Sequence, residues 1–196
     1  VLRSQLETKV TDGEDIMLIE CFGGLGSLRQ GLAMSHLHPG IHVLIETSPD
    51  KVRATQMQWT GLHHWGDIAR VDQAKLRTLV PLASKIRLII IGGTFPPPDE
   101  QAQYSRRRGG ETGRPYTHIK RLALLCRDIF RCQVKRFYES EDSMDDRDAY
   151  WMSESINDHA TTHALDLCRL IRVDNSDLVP NHRSRYYWLD TEARAE

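Results

Sequence analysis

The sequence predicts a doubly wound α/β domain, in which helices cover both faces of a mostly parallel β-sheet. Apolar runs alternate with helical patterns, and the chain begins in the order β-α-β-α-β-α-β. Several of these runs, such as Ile86–Ile91, are apolar almost throughout, as expected of strands buried on both faces. The 196 residues suffice for one domain with a full hydrophobic core.

The secondary structure follows from these patterns in chain order. The predicted strands are Met17–Glu20, Ile41–Glu46, Ile86–Ile91, Arg136–Glu139, Leu165–Ile171 and Tyr186–Leu189. The predicted helices are Ser27–Met34, Pro49–Trp59, Gln73–Val80, Tyr116–Cys132 and Asp146–Ile156. We expect a polar N-terminal arm at residues 1–14 and a single domain over 15–196. The least ordered segments are expected at Gly92–Arg114 and in the acidic stretch Glu139–Asp148.

Charge and cysteine content limit the function classes. The formal net charge is −1, so any contact with nucleic acid must come from a local patch. No apolar run reaches the length of a membrane span, and no membrane partner is expected. The cysteines lack CxxC or zinc spacing, which predicts free thiols in a reducing intracellular compartment (Cys21, Cys126, Cys132 and Cys168). His159 and His163 have no evident third ligand, so no metal site is expected.

The most informative stretch is Glu20–Leu32, which follows an apolar run and opens a predicted helix. A strand, a glycine turn and a helix together let backbone N–H groups face a nucleotide-like ligand. Gly24 and Gly26 permit close approach of the ligand and a positive φ. The same pattern also occurs as a tight βα connection that binds nothing. It is not the dinucleotide pattern Gly-x-Gly-x-x-Gly, because Arg29 follows Leu28, which disfavours a nicotinamide-dependent dehydrogenase.

Two acidic residues extend this candidate site. Glu46 ends the second predicted strand and is placed to accept hydrogen bonds from ribose hydroxyls. Its alternative is an exposed Glu ahead of a helix start. Asp67 follows a short strand-like piece and can accept from the exocyclic amine of a base, or it is a loop or N-cap Asp. Together with the glycine turn, these positions predict an adenosine-bearing ligand along the carboxyl ends of the strands.

A stiff loop is predicted after the strand at Ile86–Ile91, and a cluster of arginines follows it. Gly92 and Gly93 are predicted to form a turn, and Pro96–Pro98 stiffen the loop that follows. An arginine cluster beside two glycines suits phosphate contact, but it is also a common solvated surface feature (Arg106, Arg107 and Arg108).

The order of these motifs resembles that of the DNA (cytosine-5) methyltransferase family. Glu20–Leu32 resembles the family's first motif, and Gly92–Gly93 resembles the start of its Gly-Gly-x-Pro-Cys loop. Arg136–Ser140 resembles the strand end Phe-Glu-Asn-Val. Val179–Trp188 resembles the Val-Pro-Gln-x-Arg stretch, in a form nearest to the eukaryotic de novo subgroup.

This resemblance implies a Rossmann-like S-adenosylmethionine-dependent methyltransferase fold. It implies a pocket for S-adenosylmethionine or S-adenosylhomocysteine at Phe22, Gly24, Leu25, Gly26, Glu46, Asp67 and Gly92. Glu139 matches the family's Glu that contacts cytosine N3, and Arg183 matches its base-holding Arg. Arg185 joins the arginine cluster as a candidate for nucleic-acid contact.

The family's nucleophile is missing. In the family, a cysteine thiolate adds to cytosine C6, which activates C5 for methylation. The matching position here is Pro97, or Pro96 if no residue is inserted, and no cysteine lies between Cys21 and Cys126. The chain also ends soon after Trp188, where active members continue into a target-recognition region.

These observations predict a catalytically inactive methyltransferase-like domain. We expect a structural or binding subunit that works with other protein subunits, within a larger assembly that can contain nucleic acid. The alternative is an active S-adenosylmethionine-dependent methyltransferase on DNA or RNA that needs a partner chain. The aromatic segment Tyr186–Trp188 is expected to pack on one face and to offer the other to a partner.

Overall fold

The computed structural model of the chain describes residues 13–94, 115–141, 146–157, 167–174 and 184–191. The chain divides into two compact units. The first comprises Val1–Ile90 and Cys126–Val134, and the second comprises Ile91–Leu125 and Lys135–Glu196.

The described elements form a mixed α/β structure. The strands are β1 Ile16–Cys21, β2 Ile41–Ile45, β3 His63–His64, β4 Leu88–Thr94, β5 Gln133–Glu141, β6 Leu167–Asp174 and β7 Ser184–Thr191. The helices are α1 Ser27–Met34, α2 Pro49–Gln58, α3 Gln73–Arg77, α4 Pro115–Phe130 and α5 Asp146–Asn157. Two short 3-10 helices lie at Ile68–Arg70 and Val80–Leu82.

The strands form one mostly parallel sheet in the order β3-β2-β1-β4-β5-β7-β6. β1, β2 and β3 pair in parallel, whereas β7 runs antiparallel to both of its neighbours. The α/β fold class predicted from the sequence is confirmed. None of the helices in the described ranges is long and apolar enough to cross a membrane.

The core of the first unit is built on β1 and β2. All six residues of β1 and all five of β2 are buried, as the uninterrupted apolar runs predict. The register pairs Met17 with Ile41 and Cys21 with Ile45, so both strands end at the same edge of the sheet. Helix α2 begins with Pro49, whose fixed φ suits the first helical position.

The antiparallel strands of the second unit alternate between two faces. On one face, Tyr138 of β5 and Trp188 of β7 are fully buried. Helix α5 covers this face, because Ser153 Oγ accepts a hydrogen bond of 2.8 Å from Trp188 Nε1. Asn157 of α5 bonds both the N–H and the C=O of Cys168 on β6. The opposite face of these strands is only partly buried, a pattern typical of antiparallel sheets.

An ion pair without solvent contact lies under α5. The Arg136 guanidinium and the Asp190 carboxylate approach to 2.7 Å, and both side chains are fully buried. Asp190 also accepts the Arg136 backbone N–H at 2.8 Å and the Cys168 thiol at 2.9 Å. These bonds satisfy the carboxylate from several directions, which a buried charge requires.

The structure corrects several details of the sequence prediction. Gly92 and Gly93 were predicted as a turn but lie within β4, because the apolar run before them continues as a strand to Thr94. Glu139–Glu141 were predicted to be poorly ordered but complete β5, because they pair with β7. β3 was not predicted, since His63–His64 is too short to give a periodic pattern. The predicted strand Met17–Glu20 is one residue longer at each end, so that β1 includes Cys21.

We predict that Asp190→Asn lowers the free energy of unfolding by about 3–5 kcal/mol, because it leaves the buried Arg136 charge uncompensated. Urea unfolding followed by tryptophan fluorescence measures this loss. Asp128→Asn is the matched control, since its ion pair with Arg127 is exposed and should contribute less than about 1 kcal/mol. Equal losses in the two variants would contradict the importance of the buried pair.

Candidate functional site

The glycine turn after β1 is held in an unusual backbone conformation. Phe22, Gly24 and Gly26 all have positive φ, of 55°, 55° and 79°. A Cβ on Gly26 would lie 3.1 Å from both Thr55 and Trp59, so glycine is required there for packing. A Cβ on Gly24 would meet nothing within 4 Å, so that residue faces open space. Gly26 therefore packs against α2, whereas Gly24 is open.

Glu46 fixes this turn from the end of β2. One carboxylate oxygen accepts the Gly24 N–H at 3.1 Å, and the other accepts the N–H groups of Thr47 and Ser48 at 2.8 and 2.9 Å. The Gly24 carbonyl accepts the Thr55 hydroxyl at 3.0 Å. Both polar groups of Gly24 are thus bonded within the protein, and the open turn keeps its shape without a ligand.

Glu20 fixes the helix that follows the turn. Helix α1 begins at Ser27, and its N-cap residue Gly26 provides no side-chain cap. Glu20 Oε1 instead accepts the first-turn N–H groups of Leu28 and Arg29 at 2.8 and 3.2 Å. Glu20 Oε2 lies 2.7 Å from Nε2 of the buried His42. A carboxylate at a helix N-terminus is favourable because it meets unpaired N–H groups and the positive end of the helix dipole.

These two carboxylates determine which ligands the turn can bind. In dinucleotide-binding folds, the helix N-terminus is left for a pyrophosphate. Here Glu20 already bonds that terminus, and Glu46 adds a second negative charge beside Gly24. A phosphate would be repelled, whereas hydroxyl and amine donors or a cationic group would be attracted. The geometry therefore disfavours a nicotinamide dinucleotide and favours a ligand without phosphate.

Asp67 serves a local structural purpose. Its Oδ1 accepts the Ala69 N–H at 2.9 Å and caps the 3-10 helix Ile68–Arg70. Just before it, the buried Trp65 donates its backbone N–H to Leu44 of β2 at 2.9 Å, and the Lys75 ammonium lies 5.7 Å from the Trp65 ring centre. The hydrogen bond to Oδ1 therefore agrees with the interpretation of Asp67 as an N-cap residue.

The residues predicted from the sequence fall into three groups. The first unit holds the cofactor candidates Phe22, Gly24, Leu25, Gly26, Glu46 and Asp67. The second unit holds the buried Gly92 of β4 and an ion pair in which Arg185 Nε lies 3.5 Å from Glu139 Oε1. Outside the described residues lie Pro96, Pro97, Arg106, Arg107, Arg108, His159, His163 and Arg183.

Sequence reasoning missed two residues that support the turn. Glu20 was counted only as part of the motif, although a carboxylate in the otherwise apolar strand Ile16–Cys21 signals a buried polar contact. Trp59 lies just beyond α2, with the Arg29 guanidinium 5.2 Å from its ring centre. No sequence signal predicts that pairing, because it depends on how α1 and α2 pack.

Three of the described cysteines are poor nucleophiles. Burial raises the pKa of the Cys21 thiol well above its ordinary value, and Cys126 and Glu20 raise it further. Burial and then Cys132 raise the pKa of Cys126. Burial also raises the pKa of the half-buried Cys132, although a backbone hydrogen bond lowers it in part. Because the thiolate is the reactive form of a cysteine, these raised pKa values make all three thiols weak nucleophiles at neutral pH.

Comparison with known proteins supports the fold. Neither a protein-family model nor a curated protein sequence matches the chain. Among solved structures, the Schizosaccharomyces pombe Dnmt2 methyltransferase has a TM-score of 0.59 at 13% identity, covering 92% of this chain and 50% of that one. The Entamoeba histolytica methyltransferase EhMeth has a TM-score of 0.59 at 15% identity, covering 93% of this chain and 55% of that one.

A third similar structure is an Escherichia coli prophage protein classed as a DNA modification methyltransferase. Its TM-score is 0.59 at 17% identity, over 89% of this chain and 46% of that one. The chain thus spans about half the length of these structures. The likeness confirms a Rossmann-like methyltransferase fold, as the motif order predicted.

We predict that a thiol reagent such as Ellman's reagent leaves Cys21 and Cys126 unlabelled in the native chain at pH 7.5. Cys132 should react slowly, and faster as the pH rises, because its raised pKa keeps it protonated near neutrality. Peptide mapping by mass spectrometry identifies the labelled residue. Unfolding in guanidinium chloride is the control and should expose all four thiols. Rapid native labelling of Cys21 or Cys126 would show that a reactive thiolate exists.

Proposed function

We propose that this chain is a methyltransferase-fold domain that binds S-adenosylmethionine or S-adenosylhomocysteine but does not methylate cytosine through a cysteine. It acts as a structural or binding subunit of a larger assembly that includes nucleic acid. The observation that carries the proposal is the preformed turn at Gly24, which faces open space while Glu46 holds its backbone. Such a turn is ready for a ligand without further ordering.

The residues present fit an adenosine-bearing sulfonium ligand. A carboxylate offers about four acceptor positions, and Glu46 uses three of them for backbone N–H groups. The remaining position suits a ribose hydroxyl. The negative charges of Glu46 and Glu20 complement the cationic sulfur and amino group of S-adenosylmethionine. When bound, that cofactor supplies a methyl group on a positively charged sulfur.

The missing nucleophile supports a non-catalytic role. Cytosine methylation needs a thiolate at the position where this sequence has Pro97 or Pro96. Proline has no side-chain group that can add to the pyrimidine ring. Losing a covalent route removes on the order of 5 kcal/mol of barrier lowering or more. The buried thiols at Cys21 and Cys126 are protonated and offer no replacement.

One residue that matches a base-contacting residue of the cytosine-5 methyltransferase family is present. Glu139 and Arg185 form an ion pair at 3.5 Å with both side chains partly exposed. In the family that this sequence resembles, the corresponding Glu contacts the target base. A base-contacting Glu kept at position 139 without the family's nucleophile suits binding of a base without its methylation, which supports a role in a nucleoprotein assembly.

Isothermal titration calorimetry with S-adenosylhomocysteine tests the proposal. The wild-type chain should bind it, and Gly24→Asn should weaken binding at least about tenfold, because the new side chain fills the space at the turn. Asparagine tolerates the positive φ of Gly24 better than other residues do, which keeps the fold intact.

Gly61→Asn is the matched control. Gly61 also has a positive φ with nothing within 4 Å of its Cβ position, but it lies in the exposed turn between α2 and β3. It should bind like the wild type. Urea unfolding with and without the ligand gives a second readout, since binding to the native state alone raises stability. No heat at high micromolar ligand, or equal binding by the two variants, would refute the proposed site.

A further inference from the structure

The antiparallel strands of the second unit present a partly exposed face, called here the open face. It is formed by Phe137 of β5, Tyr187 and Leu189 of β7, and Arg169 and Ile171 of β6. The register places Phe137, Leu189 and Arg169 in one row across the three strands, with Tyr187 and Ile171 in the next. These side chains therefore share one side of the sheet.

On β5 and β7, the open face contrasts with the face that α5 covers, where Tyr138 and Trp188 are fully buried. On the edge strand β6 both faces are accessible, since Leu170 on the α5 side is 39% exposed. On the open face, Ile171 is 42% exposed, Arg169 is exposed, and Phe137 and Tyr187 are partly exposed. An aromatic and aliphatic surface of this kind on a sheet indicates a binding surface.

The side chains of the open face offer both stacking and positive charge. The rings of Phe137 and Tyr187 are adjacent, with centres 5.7 Å apart and planes inclined by 42°. Arg169 lies two strands from Phe137 in the same row. Aromatic rings beside a cation on a sheet surface are the means by which many domains bind unpaired bases and their phosphates.

We propose that the open face binds single-stranded nucleic acid, with bases stacked on Phe137 and Tyr187 and a phosphate held by Arg169. This site is distinct from the glycine turn and does not depend on the cofactor proposal. It also differs from the arginine cluster Arg106–Arg108, which the sequence suggested for the same ligand class.

Charge favours nucleic acid over a protein as the occupant. The register places three cationic residues, Lys135, Arg169 and Arg185, and two acidic residues, Glu139 and Glu141, on this side of the sheet, and Glu139 is paired with Arg185. The chain as a whole has a net charge of −1, so this excess is local. The centres of protein–protein interfaces are depleted of charged side chains, whereas nucleic-acid surfaces require cations.

Fluorescence anisotropy with labelled twelve-nucleotide oligouridine and oligodeoxythymidine tests the proposal on the full chain. Arg169→Glu should weaken binding about tenfold at low salt and reduce the salt slope by about 0.7, as for one lost phosphate contact. Arg172→Glu is the matched control, because it makes the same charge change on the same strand but on the side of α5, where Arg172 lies 5.6 Å from the Tyr186 ring centre. Its affinity should stay near that of the wild type.

Substitutions of the aromatic residues test the proposal independently of charge. Tyr187→Leu and Phe137→Leu keep an apolar side chain but remove the stacking surface, so each should weaken binding about fivefold or more. Tyr150→Leu is the control, since Tyr150 is a 65% exposed tyrosine on α5. Circular dichroism establishes that all variants are folded.

The outcomes separate the alternatives. Binding of either oligonucleotide that is lost in Arg169→Glu and Tyr187→Leu but kept in both controls supports the proposal, and the two oligonucleotides distinguish RNA from DNA. Equal losses in Arg169→Glu and Arg172→Glu would indicate general charge attraction and would overturn it. Absence of binding at low salt would also overturn it, as would a dimer in light scattering that Ile171→Asp dissociates, since the occupant would then be a second copy.

Discussion

Two buried carboxylates at the ends of neighbouring parallel strands hold the candidate site together. Glu20 bonds the first turn of α1, and Glu46 bonds the glycine turn that leads into it. Because β1 and β2 end at the same edge of the sheet, both carboxylates act on one short segment. Without them, the N–H groups of Gly24, Leu28 and Arg29 would lose the acceptors that hold the turn and the start of α1 in place. The turn is therefore formed before any ligand arrives.

The same carboxylates set the electrostatic character of the site. A helix N-terminus usually attracts an anion, but Glu20 supplies that anion from within the chain. The site is thereby unsuited to phosphates and suited to hydroxyl, amine and cationic groups. The second unit shows a different division of charge, since Arg136 and Asp190 neutralise each other in the interior while Arg169 remains at the surface. The buried pair stabilises the fold, whereas the exposed Arg169 is accessible to a ligand.

Much of the fold could be predicted because strong local patterns dictate it. Helix α1 has the predicted bounds Ser27–Met34, since the glycine turn and the apolar spacing mark it. Glu46 was identified from its place at a strand end, yet its bonds to three backbone N–H groups depend on how the turn folds back and leave no sequence signal. The capping by Glu20 and the short strand His63–His64 were missed because both arise from contacts between distant segments.

The chain has a Rossmann-like methyltransferase fold, and we propose that it lacks the covalent chemistry of cytosine methylation. Mass spectrometry of the chain after incubation with S-adenosylmethionine and an oligonucleotide containing 5-fluorocytosine tests this most directly, because the fluorine blocks release of a covalently attached enzyme. With Pro97 or Pro96 at the nucleophile position, we expect unmodified protein and unmodified oligonucleotide. A covalent adduct between them would contradict it.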